Sequence, residues 1–230
     1  MLYIKSCNRV NYKLGSIDDG LEGRIICDLT ELKRIIKGRY VDMRYEIRYG
    51  ALGGQGIVTA GNLLLEIAVK HENKHASASP TYTATVRGGP TKVDVILSDE
   101  IVLFPHATAI DFCIFTDQRP FNLYKSRLKN DAILVVDSNL VTDLGDTLEW
   151  TVYPMPIISE TEKTLGFVAL TSVVSLSMTQ LLTNIIHYSN MESFVRGWAP
   201  KQFLDLNMKA IELGRTMLEN CTPIKKPALV

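Results

Sequence analysis

The sequence lacks the closely spaced cysteines that zinc ribbons and iron–sulfur clusters require. It has four cysteines, and no two of them form a Cys-x-x-Cys pair: Cys7, Cys27, Cys113 and Cys221. Zinc ribbons and ferredoxin-type clusters both depend on such pairs. His71 and His75 lie four residues apart, but no third ligand is spaced to complete a site. The sequence therefore predicts that this chain binds no metal of its own.

The motifs of several catalytic classes are also missing. The chain has no Gly-x-Ser-x-Gly elbow and no Gly-x-x-x-x-Gly-Lys-Ser/Thr phosphate loop. It has no Gly-Asp-Gly with a downstream asparagine, the arrangement that holds magnesium and thiamine diphosphate, although Gly145-Asp146-Thr147 begins in the same way. We therefore assign no catalytic residue, and we expect a part of an enzyme that lacks the reactive cofactors.

An excess of charge of either sign is absent as well. The chain contains 25 Lys and Arg residues and 25 Asp and Glu residues, so its formal net charge is zero. This predicts no general attraction to nucleic acid or to a membrane surface. The most apolar stretch, Leu165 to Ile186, contains too many Ser, Thr, Asn and Gln residues for a membrane span. We expect a cytoplasmic globular protein in which this stretch is a helix, either buried in the domain or at a subunit contact.

What the sequence does contain is two glycine turns. The first, Leu52-Gly53-Gly54-Gln55-Gly56, lies between a strand-like run at 45–49 and a helical run at 57–69. The second is Arg87-Gly88-Gly89, followed by Pro90. Glycine permits positive φ and close backbone approach, and a helix N-terminus attracts anions. The candidate binding residues are Gly53, Gly54, Gln55, Gly56, Arg87, Gly88 and Gly89.

The ligand of these turns is open to more than one interpretation. The first turn is nearly the dinucleotide fingerprint Gly-x-Gly-x-x-Gly, but Ala51 stands at the first glycine position. An NAD site also requires an acidic residue about twenty positions further on, and Glu72 is a poor candidate for it. Arg87 beside two glycines suits a phosphate or a carboxylate, and it suits a carboxylate across a subunit contact equally well. A stand-alone NAD-binding domain and a purely architectural subunit remain alternatives.

Apolar periodicity predicts an α/β protein. The expected strands lie at about 44–50, 92–98, 110–116, 132–137 and 148–154, and the expected helices at about 56–70, 120–129, 165–187 and 200–219. This alternation is typical of a three-layer α/β/α sandwich with a Rossmann-like, mostly parallel sheet. Ser77, Ser79, Thr81 and Tyr82 either contact a ligand or lie on a polar strand edge or loop. We divide the chain into an N-terminal extension that could contact a partner (1–42), the α/β domain (43–219) and a C-terminal tail (220–230).

Several segments together resemble a known family. In chain order they are Ala51 to Gly61, Ser77 to Tyr82, Arg87-Gly88-Gly89, Val93 to Ser98, Asp131 to Ser138, and Asn207-Met208-Lys209-Ala210 with Gly214. In this order they resemble the gamma subunit of the 2-oxoacid:ferredoxin oxidoreductases, over about residues 43–219. Ala51 departs from the family pattern, which usually has glycine there. Thr85 departs from it too, because the family often has an acidic residue at that position.

The resemblance implies a role in a multi-subunit enzyme. Such a complex decarboxylates a 2-oxoacid on thiamine diphosphate, passes electrons through iron–sulfur clusters to ferredoxin or a similar acceptor, and transfers the acyl group to coenzyme A. Partner subunits would hold the thiamine diphosphate, the magnesium and the clusters, in a two-fold hetero-oligomer. This chain would help to form the coenzyme A pocket with its glycine turns and Arg87. The 2-oxoacid and the electron acceptor stay open.

Overall fold

The computed structural model describes residues 43–81, 88–145 and 150–225. Its strands are β1 (Arg44–Leu52), β2 (His75–Thr81), β3 (Pro90–Ser98), β4 (Ile110–Phe115), β5 (Leu128–Asp137), β6 (Thr151–Met155) and β7 (Ile224–Lys225). Its helices are α1 (Ile57–His71), α2 (Gln118–Tyr124), α3 (Ile157–Leu165), α4 (Thr171–Thr183), α5 (Tyr188–Trp198) and α6 (Leu204–Glu219). Two 3₁₀ turns precede α4 and α6, at Val168–Leu170 and Lys201–Phe203. The predicted extension at 1–42 lies outside the described residues.

The described part of the chain forms one sheet of seven strands in the order β2-β3-β1-β4-β5-β6-β7. Strands β1, β4, β5 and β6 lie side by side in the sheet and run parallel to one another. Strand β3 pairs antiparallel with β1 and with β2, and β7 pairs antiparallel with β6. From β1 the chain first builds the β2–β3 side of the sheet and then crosses to β4 on the other side. The C-terminal ends of β1 and β4 therefore form the topological switch point, where ligands of open α/β sheets bind.

Helices cover both faces of the sheet, which confirms the predicted α/β fold class. Alternate strand residues point to opposite faces. Ile47, Tyr49 and Val95 belong to a core shared with α1 and α3 to α6, whereas Phe115 belongs to a second core with Phe121 of α2. Among the described residues, one short helix and loops thus cover the second face, and five helices cover the first.

A buried ion pair fixes α2 to the second face. The Arg48 guanidinium donates two hydrogen bonds to Asp94, of 2.6 and 2.9 Å, across the β1–β3 ladder. Its remaining nitrogen donates to the backbone oxygens of Tyr124 and Ser126, at 2.7 and 2.9 Å. Lys92 donates to the same carboxylate. Arg48 therefore joins two strands to the C-terminal end of α2.

Two predicted helices had the wrong bounds. The helix expected at 120–129 ends at Tyr124, because Arg127 takes a φ of 71° and strand β5 begins at Leu128. The helix expected at 165–187 is broken by Gly166, whose φ of 76° ends α3. A new helix, α4, begins at Thr171 and ends before Asn184, which has a φ of 48°. Helices α3 and α5 and strands β2 and β7 were not predicted.

Helix α4 is a core helix of the domain. Ten consecutive residues, from Thr171 to Gln180, are buried. Gly214 of α6 lies against it, where an added Cβ would be 2.8 Å from the Val174 carbonyl oxygen, so the two helices approach closely. The Thr179 hydroxyl bonds the Tyr49 hydroxyl at 2.8 Å, which satisfies both groups inside the core. Among the described residues, no single helix is long and apolar enough to span a membrane.

Candidate functional site

The two glycine turns meet at the C-terminal end of β1. The Gly53 N–H donates to the Gly89 carbonyl oxygen at 2.9 Å, and the Gly88 N–H donates to the Gly53 carbonyl oxygen at 3.3 Å. These bonds continue the β1–β3 ladder one step beyond the Leu52–Pro90 pair. The structure thus brings the predicted residues of both turns together, except Arg87, which lies outside the described residues.

Three of these glycines have positive φ. The angles are 105° at Gly54, 79° at Gly56 and 70° at Gly88. A Cβ added at Gly54 or Gly88 would meet nothing within 4 Å, so backbone conformation rather than crowding favours glycine there. At Gly56 an added Cβ would lie 2.4 Å from the Ala169 carbonyl oxygen, so this glycine is required for close packing as well. The two turns therefore leave open space at Gly54 and Gly88 and are tightly packed at Gly56.

Gln55 turns its side-chain oxygen towards the sheet. Its Oε1 accepts hydrogen bonds from the Leu52 N–H at 2.9 Å and from the Thr116 hydroxyl at 2.7 Å. Leu52 ends β1, and Thr116 directly follows β4, so this amide ties the two strands together across the switch point. Thr116 is fully buried and was not predicted from the sequence. The feature of the sequence that could have indicated Thr116 as a site residue is its position directly after a buried apolar strand.

The N-terminus of helix α1 lies at the same turn. Gly56 is its N-cap residue and has no side chain with which to cap it, and the first turn of the helix contains no acidic residue. The first N–H groups of a helix have no partner inside the helix, and they carry the positive end of its dipole. Such an N-terminus, next to the exposed Gly54, suits a phosphate or another anion.

The carboxylate at the end of β5 has a structural role. Asp137 is fully buried, and its Oδ1 accepts from the Asn139 and Leu140 N–H groups at 2.9 and 3.1 Å. Its Oδ2 accepts from the Ile158 N–H, at the start of α3, at 2.8 Å. Asp137 therefore fastens the turn after β5 to α3. In the described parts of the chain, no group of three potential metal ligands occurs.

Glu72 is occupied elsewhere, which counts against a dinucleotide site. Its carboxylate accepts from the His187 N–H at 2.6 Å and from the Asn190 side chain at 2.9 Å, and it also contacts the His187 ring at 2.6 Å. Burial alone would raise the pKa of Glu72, but these hydrogen bonds from His187 and Asn190 hold it below its usual value. Glu72 thus binds the start of α5 and does not lie free to receive a ribose hydroxyl.

The comparisons with known proteins agree with this architecture. Residues 46–217 match the family described as pyruvate ferredoxin/flavodoxin oxidoreductase. The chain belongs to this family. It is a gamma subunit of the 2-oxoacid:ferredoxin oxidoreductase complexes, as the resemblance in its sequence predicted.

Two similar proteins support the assignment of this chain as a gamma subunit. The 2-oxoglutarate synthase subunit KorC of Methanocaldococcus jannaschii is 32% identical over 177 residues, which is 76% of this chain and 95% of that protein. The keto/oxoacid ferredoxin oxidoreductase gamma subunit of Geobacter sulfurreducens has a TM-score of 0.70 and 31% identity, and the match covers 78% of this chain and 99% of that one.

A longer chain contains the same fold. The 2-oxoglutarate:ferredoxin oxidoreductase of Magnetococcus marinus, solved with 2-oxoglutarate, coenzyme A and succinyl-CoA, has a TM-score of 0.69 and 20% identity. The match covers 80% of the gamma subunit and 33% of that chain. The fold of the gamma subunit thus also occurs as one third of a larger polypeptide.

Proposed function

We propose that the gamma subunit forms part of the coenzyme A site of its complex, with the two paired glycine turns and the N-terminus of α1 as the binding surface. The complex would oxidise a 2-oxoacid to an acyl-CoA. Thiamine diphosphate, magnesium and iron–sulfur clusters would reside in partner subunits. Coenzyme A enters as a cosubstrate, and this chain contributes binding and orientation rather than a reacting group.

The observation that carries this proposal is the meeting of the two turns at the switch point. Coenzyme A is rich in phosphates, and the turns leave open space at the exposed Gly54 and Gly88, beside the start of α1. The relative from Magnetococcus marinus was solved with coenzyme A and succinyl-CoA, which supports the choice of ligand class. Glu72 is not placed to hold a ribose, so NAD fits this surface less well.

Arg87 provides the test, because it is the charged residue of the second turn. In the purified complex, we expect Arg87→Ala to raise the apparent KM for coenzyme A about tenfold, equivalent to about 1.4 kcal/mol. Occupancy by thiamine diphosphate should not change. Arg87→Lys should restore binding only in part, because a lysine lacks the planar fork of the guanidinium. Steady-state kinetics with coenzyme A as the varied substrate measure the effect.

The architectural alternative gives a different result in the same experiment. If Arg87 pairs with a carboxylate of another subunit, Arg87→Ala should release the gamma subunit from the complex. Size-exclusion chromatography of the variant distinguishes the two cases. An intact complex with an unchanged KM for coenzyme A would contradict the proposed site.

We further propose that the loop between β3 and β4 binds another subunit of the complex. It exposes three large apolar side chains, Ile101, Leu103 and Phe104, and Leu103 is 89% exposed. Neighbouring polar side chains fix its backbone. Arg44 donates to the Phe104 carbonyl oxygen at 3.4 Å, and Ser79 donates to the Pro105 carbonyl oxygen at 2.9 Å. Apolar side chains on a loop whose backbone is held by such hydrogen bonds are suitable anchors for a partner surface.

Substitution of Leu103 tests this contact. We expect Leu103→Asp to release most of the gamma subunit from the complex, because a carboxylate would be buried without a partner at the contact. Leu123→Asp is the matched control, since Leu123 is 58% exposed on α2. Chromatography and subunit stoichiometry provide the measurement. Full retention of the Leu103→Asp subunit, or equal loss of both variants, would contradict the assignment of this loop.

A further inference from the structure

Thr116 lies at the point where the glycine turn meets β4. It is fully buried, its N–H donates to the Gly50 carbonyl oxygen at 3.1 Å, and its hydroxyl bonds Gln55 Oε1 at 2.7 Å. Oε1 has no proton, so the threonine hydroxyl must be the donor. Thr116 therefore acts on the turn through one specific hydrogen bond.

Two donors fix the orientation of the Gln55 amide. The Leu52 N–H also donates to Oε1, at 2.9 Å, so this position must hold the oxygen and not the nitrogen. The Nε2 group lies in the same plane, on the other side of the Cγ–Cδ bond from Oε1, and it carries two N–H donors. Gln55 is half-buried, between the exposed Gly54 and the start of α1.

We infer that Thr116 is a positioning residue for the coenzyme, because it holds the Gln55 amide so that Nε2 donates to an acceptor oxygen of coenzyme A. This inference rests on the proposed function of the glycine turn. A fixed amide donor loses little conformational entropy when it binds a ligand, whereas a freely rotating one must first be ordered. Thr116 contributes to affinity in this way without contacting the coenzyme.

The experiment uses five preparations of the full complex: wild type, Thr116→Val, Thr116→Ser, Gln55→Ala and the double variant Thr116→Val/Gln55→Ala. Valine keeps the shape of threonine and removes the hydroxyl donor. We expect Thr116→Val to raise the apparent KM for coenzyme A about fivefold, the effect of losing one neutral hydrogen bond, with most of the change in KM rather than in kcat. Thr116→Ser should restore the wild-type KM, because the donor returns.

The double variant separates positioning from independent effects. If Thr116 acts through Gln55, its substitution should add nothing once Gln55 is alanine. Effects that multiply in the double variant, or an unchanged KM in Thr116→Val while Gln55→Ala raises it, would overturn the positioning role. An unchanged KM in an intact Gln55→Ala complex would instead count against the coenzyme site at this turn. Serine failing to rescue would show a packing role and would also overturn the inference.

Discussion

Replacing Asp94 with asparagine should lower the free energy of unfolding by about 3 kcal/mol, because it leaves a buried guanidinium without a counter-charge. The Arg48 and Asp94 side chains are 4% and 6% exposed, and Lys92 adds a second positive charge at 2.5 Å from the carboxylate. Asparagine keeps the shape and one acceptor oxygen but removes the negative charge. Urea unfolding of the full-length chain, followed by tryptophan fluorescence, measures the change.

An exposed pair provides the control for this prediction. Glu66→Gln removes the partner of Lys70 on the surface of α1, where the lysine is 58% exposed, and it should change stability by less than about 1 kcal/mol. Equal effects of the two substitutions would show that burial of the Arg48–Asp94 pair does not matter for stability.

The stabilisation by Asp94 should also depend on pH. Burial by itself would raise the pKa of Asp94, but the hydrogen bonds and charges of Arg48 and Lys92 outweigh it and hold the pKa below its usual value. Stability from a lowered carboxylate pKa is fully present above the unfolded pKa and is lost as the pH falls through the folded pKa. The difference between wild type and Asp94→Asn should therefore be largest near neutral pH and should decrease in acid. A constant difference over this range would contradict the charge-based explanation.

A valine at Gly54 should abolish coenzyme-dependent turnover while the complex stays assembled. Gly54 has a φ of 105°, which a β-branched residue does not readily adopt, and its Cβ would point into open space. The turn must therefore either change its conformation or place a side chain on the proposed binding surface. Kinetics with varied coenzyme A, combined with chromatography of the complex, provide the measurement.

Gly166→Val controls for backbone strain alone. Gly166 also has a positive φ, of 76°, and its added Cβ would also meet nothing within 4 Å, but it ends helix α3 and lies outside the glycine turn. Both variants should lose about 1–2 kcal/mol of stability from the strained backbone, and only Gly54→Val should lose its response to coenzyme A. Full activity of an intact Gly54→Val complex would exclude this turn from the mechanism.

Local sequence patterns were sufficient to predict the fold class. Apolar runs placed the central strands, and the glycine turn before an amphipathic run placed α1. The same patterns failed between Leu165 and Ile186, because apolar residues continue there while Gly166 and Asn184 interrupt the helix. They also failed at the end of α2. Arg127 takes a left-handed backbone conformation there, and an arginine in the sequence does not predict such a conformation.

The glycine turns could be predicted as candidates, but their partners could not. Pairing of Gly53 with Gly88 and Gly89 depends on the antiparallel register of β1 and β3, which joins residues far apart in the chain. Thr116 reaches Gln55 because β4 is the parallel neighbour of β1. Such contacts follow from strand order, and strand order is a property of the whole domain rather than of any local segment.

The most direct test of the proposed coenzyme site is a structure of the purified complex with coenzyme A bound. We predict that a phosphate of the coenzyme lies within hydrogen-bond distance, about 3 Å, of the Gly54 N–H, the Gly56 N–H or the first N–H groups of α1. The Gln55 amide nitrogen should face the coenzyme, with Oε1 still bonded to Thr116. A coenzyme bound entirely by partner subunits, with this turn facing solvent or packed against another chain, would contradict the proposed function.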